Sequence, residues 1–167
     1  MSLSYGFALR PADDSADFAD ALHAVTGDGI TQQGGRFALT INGFTATLSS
    51  GYALAAGRWL QNDEPLPLTI DPSGNTKDRT DALVVLVDYE ARNASLSVLP
   101  DVDPEEIRAS PDLLREDGRY CLLLYFIRVR RGVTSLSLED VTDLRGEERL
   151  CGYTAPLSEI AGKVLYL

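Results

Sequence analysis

The sequence predicts a mainly β fold, an antiparallel β-sandwich-like domain with one N-terminal helix and one short helix near 103–109. Three observations carry this. The apolar period changes from helical spacing to strict alternation after Arg36, turn-forming residues punctuate the chain at short intervals, and two stretches, 82–89 and 120–130, are apolar on both faces. With 167 residues, 44% hydrophobic and 24% charged, and a mean hydropathy of −0.07, the chain suits one globular domain over 1–167. Within it we expect the helix at 15–26, a hairpin-rich β region at 36–99 and a second β region at 119–167.

The helix is expected to start at Ser15 as N-cap, with Asp13 and Asp14 placing negative charge at its N-terminus. Phe18, Leu22 and Val25 recur on one narrow stripe up to the stop at Gly27. Phe37, Leu39 and Ile41, then Phe44, Ala46 and Leu48, alternate around Asn42-Gly43, which reads as a type I′ hairpin turn. Gly51 and Gly57 bound short pieces at 52–56 and 58–60, and Leu66, Leu68 and Ile70 alternate before the turn that begins at Asp71. Ala82 to Tyr89 turns through residues 90–93 into a second hairpin strand ending at Leu99. Asp103 caps a short helix with Pro104 at its first position and Glu105 and Glu106 in its first turn. Tyr120 to Arg130 is the longest expected strand, 133–138 and 144–153 read as shorter strands or turns, and 160–167 as a last strand. A strand apolar on both faces needs a second sheet or another chain over its outer face.

Charge and composition exclude several function classes. Twenty-five acidic residues against 15 basic ones leave a net charge of −10, which opposes nucleic-acid binding. No apolar run approaches the roughly 20 residues that cross a bilayer, and the opening stretch Met1 to Phe7 has neither the basic patch nor the apolar core of a signal peptide. Cys121 and Cys151 have no zinc or redox spacing; they read as two half-buried thiols, with a disulfide as the open alternative. His23, the single histidine, reads as a packing or surface residue. The acidic groups Asp13, Asp14, Asp17 and Asp20, and Asp101, Asp103, Glu105 and Glu106, read as helix starts and solvated faces, without the spacing of a calcium loop. Gly27, Gly29, Gly34 and Gly35 follow a helix and lack the Gly-Lys-Ser/Thr of a phosphate loop, so they read as helix exit and turn. No nucleophile, metal or cofactor site is expected, and the chain is not expected to be an enzyme.

Two stretches carry further information through their order and spacing over residues 78–152. The first runs from Arg79-x-Asp81 through an apolar strand to Asp88 and a turn holding Arg92. The second runs from Gly118-x-Tyr120 through an apolar strand to Gly132-x-Thr134, then Asp143-x-Arg145, and closes on Cys151-Gly152. This pattern resembles the N-terminal, virion-attaching (shoulder-like) domain of baseplate, receptor-binding and minor structural proteins of tailed phages and prophages. The resemblance implies a β-sandwich-like domain that forms a homotrimer in the virion tail or baseplate, made in the bacterial cytoplasm, docking other baseplate or tail proteins. It implies no enzymatic activity; no cofactor, nucleic acid or membrane is expected, and contact with a host glycan has no support in the sequence. Arg79, Asp81, Asp143 and Arg145 would then pair at strand ends and fix register, and a trimer would cover the two-sided strands.

The alternative is a carbohydrate-binding module, a β-sandwich stacking sugars on Trp59, Tyr52, Tyr5 or Tyr153. A third reading is a small β-fold enzyme or regulatory domain, which would show a deep pocket with perturbed acids.

Overall fold

The computed structural model describes residues 3–6 and 12–154, with side-chain detail from Ala19 onward. The expected last strand at 160–167 lies outside the described residues, as do the side chains of Tyr5, Asp13, Asp14, Asp17 and Phe18. The fold is mainly β, as its sequence pattern predicts, with its strands in three sheets. The five-stranded sheet has the order β1 (Leu3–Gly6), β6 (Arg58–Asn62), β5 (Gly51–Ala55), β2 (Gly29–Thr31), β12 (Tyr153–Thr154). The four-stranded sheet runs β11 (Val141–Asp143), β10 (Arg119–Val129), β8 (Arg79–Asp88), β9 (Asn93–Leu99), and the three-stranded one β3 (Leu39–Asn42), β4 (Thr45–Leu48), β7 (Leu66–Thr69). All pairings are antiparallel except β12 with β2.

Helix α1 spans Ala12–Thr26, one turn longer than expected at its start. Ser15 is therefore inside it, and Asp13 and Asp14 fall in the first turn, where their charge favours the helix end. Of the expected apolar stripe, Leu22 is half-buried and Val25 is exposed, the Phe18 side chain lying outside the described residues, while Ala19 is buried. The burial of Ala19 comes from backbone proximity. A Cβ on Gly57 would lie 1.7 Å from the Ala19 carbonyl oxygen, so a small residue meets a glycine there. Gly27 leaves the helix at φ +67 with its N–H donating to the His23 carbonyl, a left-handed C-terminal stop.

The first hairpin forms, with its turn one residue later than Asn42-Gly43. Asn42 pairs with Thr45, so the loop is Gly43-Phe44, and only Gly43 has positive φ. That fits a turn of the II′ kind, which needs glycine at its first central position. In the β5–β6 hairpin the turn residues Ala56 and Gly57 both have positive φ. Pro67 sits in β7, an edge strand, where its missing N–H interrupts no ladder.

Strands β8 and β10 are buried on both faces, and both faces are covered from within the same chain. One face joins the main core, with Leu83, Val85, Val87, Leu122, Leu124 and Ile127 against residues of the other two sheets such as Ile30, Leu48 and Leu60. The other face, Ala82, Val84, Cys121, Leu123 and Phe126, packs under Ile107, Leu114, Leu144 and Leu150. These come from α2 (Pro104–Ala109), the 3-10 turn Pro111–Leu114, the segment after β11, and α3 (Glu148–Cys151). A second chain over that face is therefore unnecessary, which corrects the sequence argument. The cover escaped notice because each piece supplies only one or two apolar residues, too few to show a period. Residues 144–153, expected as strand or turn, hold α3.

A β-bulge at Leu124 shifts the register between Leu123 and Tyr125. It changes which face the following residues occupy, so Leu122, Leu124, Tyr125 and Ile127 all enter the main core. Without it Tyr125 would point at the helices.

Candidate functional site

The residues that carry the family resemblance do not converge on one point. At one end of β8, Arg79 donates from Nε and Nη2 to both Asp81 oxygens at 2.7 and 2.8 Å, and Asp81, 1% exposed, also accepts from the Asp101 N–H at 3.0 Å. The Asp81 hydrogen bond, outweighing partial burial, holds the Arg79 guanidinium above its ordinary pKa. At the other end, Asp88 accepts from the Ala91 N–H at 2.8 Å across the turn, Arg92 takes a left-handed conformation in it, and the Gly118 carbonyl accepts from the Tyr89 N–H at 2.8 Å. The Gly132 N–H donates to the Gly74 carbonyl at 2.7 Å, and Thr134 is exposed.

Around Asp28, which the sequence reading did not single out, three elements meet. Its Oδ1 accepts from the Ala56 N–H at 2.8 Å and lies 2.9 Å from His23 Nδ1, and its Oδ2 accepts from the Tyr120 hydroxyl. Asp28 thus ties α1, the strained β5–β6 turn and β10 together. Burial first, then the Asp28 carboxylate, push the Tyr120 hydroxyl's pKa up. Beside it the Gly152 carbonyl accepts from the Ile30 N–H at 2.9 Å, closing β12 onto β2. Cys121 and Cys151 are free and fully buried rather than half-buried. Burial pushes their thiols to about 11 and about 12, so neither is a thiolate nucleophile near neutral pH. Among the described residues no group of three His, Cys, Asp or Glu side chains is placed to hold a metal, and no helix is long and apolar enough to cross a membrane.

Asp143 and Arg145 act on a loop. Arg145 binds Asp143 with Nε and Nη2 at 2.9 and 2.6 Å, and its Nη1 donates to the Arg36 carbonyl at 2.9 Å. Burial opposes ionisation of Asp143, but the side-chain and backbone hydrogen bonds and the charge of Arg145 together hold its carboxyl below the ordinary value. One residue on, the Phe37 carbonyl accepts from the buried Tyr125 hydroxyl at 2.9 Å. Arg36 and Phe37 both have left-handed φ, +57° and +53°, conformations rare for such residues. The bulge that turns Tyr125 toward this loop and the Arg145 guanidinium together hold it in place.

That loop forms one wall of a cleft of about 280 Å³. Gln33 and Gly34 line one side, and Ser50, Gly51, Tyr52, Gln61, Asn62 and Asp63, from β5, β6 and their flanks, line the other. Tyr52 is stacked on Trp59, with ring centroids 6.0 Å apart and planes at 29°. Asn62, 1% exposed, donates from Nδ2 to the Ser49 carbonyl at 3.1 Å, and its Oδ1 has no partner among the described residues. Of the aromatics named from sequence, Tyr52 lines the cleft, Trp59 braces it, and Tyr153 is exposed elsewhere. The polar lining was not legible in the sequence because Gln33 and Gln61 meet only after folding. No family model, curated protein or solved structure matches the chain.

Proposed function

We propose that this protein is a non-enzymatic structural and assembly domain of a phage or prophage tail tip or baseplate, docking neighbouring virion proteins as a homotrimer. The observation that carries the assembly reading is the outer edge of β9. Among the described residues it is the last strand of its sheet, seven residues of sequence Asn-Ala-Ser-Leu-Ser-Val-Leu, with no charge and no proline. Edges not meant to pair are blunted by charge, proline or a bulge, and β9 has none of these. Such an edge suits strand addition from a partner chain. The resemblance over residues 78–152 supplies the phage context and the threefold arrangement. With the outer face of β8 and β10 already covered, a trimer contact would use surface such as this edge.

The framework roles of Arg79, Asp81, Tyr120, Asp143 and Arg145 are in keeping with that reading. Each is engaged in holding a turn or loop, and the two thiols are buried. The test is an antiserum to the chain applied to tail particles purified from an induced lysogen that encodes it. Label at the tail tip or baseplate is expected; a chain found only in the unassembled fraction would overturn the proposal.

A second reading, a saccharide-binding module, is favoured by one observation, the braced Tyr52 ring at the mouth of a polar cleft.

A further inference from the structure

We draw no further inference here: the strongest candidate, the uncharged outer edge of β9 with Arg92 exposed before its start and Asp101 exposed beyond its end, belongs to the docking surface already described, and nothing among the described residues shows which chain covers it.

Discussion

At the residue scale, the chain uses its charged motif residues as fasteners, and their worth differs with burial. Asp81 is enclosed and paired with Arg79, so Arg79→Ala should leave a buried acceptor group without its partner and destabilise the fold by about 3–5 kcal/mol, read as a fall in the urea midpoint. Arg145 and Asp143 are more exposed and contribute less to global stability. Their signature is pH. The Asp143 carboxyl is held below its ordinary value in the fold, so its contribution is present above the unfolded carboxylate value of about 3.9 and is lost as pH falls through the lower folded value. Urea midpoints taken from pH 6 down to pH 2 should decline, and the decline should be shallower in Arg145→Ala; equal slopes would show that the pair does not couple to folding. The thiols give a third expectation. With pKa values raised to about 11 and about 12 by burial, Cys121 and Cys151 should be silent to a thiol reagent at pH 8, and both should react once the chain is unfolded. A reactive thiol in the native protein would contradict the buried placement.

At the element scale, the decisive contacts are between backbones and between single side chains from short pieces. Gly57→Ala would put a Cβ against the Ala19 carbonyl at a residue with φ +72, so it should loosen α1 and destabilise the protein by more than the roughly 1 kcal/mol of an unstrained glycine change. Amide hydrogen exchange should then rise first in residues 19–26. Leu123→Ala opens a cavity under α2 and α3 and should cost about 2–5 kcal/mol if the chain itself covers that face. This is also where sequence reading succeeded and where it stopped. The hairpins around residue 43 and at 82–99 and the Asp103-capped helix were legible because alternation, turn glycines and caps are local signals, while the short pieces at 52–56 and 58–60 were legible as pieces and pair as a hairpin only in the fold. The Gly43-Phe44 turn was read one residue early because glycine serves at either central position. The cover from α2, the 3-10 turn and α3 was not legible, since Ile107, Leu114, Leu144 and Leu150 stand far apart in sequence and join only on the sheet. For the same reason the cleft's aromatics were named from sequence while Asn62 and Gln33 were not.

At the scale of the whole molecule, the fold covers the outer face of β8 and β10 from within, and among the described residues β9 is a long uncharged strand at the margin of its sheet. The first property means that this face needs no second chain; the second is where the proposed assembly would pair. The proposed function takes three copies as its number. The measurement that tests the assembly account most directly is molar mass in solution, by size-exclusion chromatography with light scattering across a tenfold dilution. The account predicts a stable mass of about 54 kDa, three times the 18.1 kDa chain, which a charged substitution at the β9 edge, Ser97→Lys, should lower. A mass of 18.1 kDa at every concentration would contradict it.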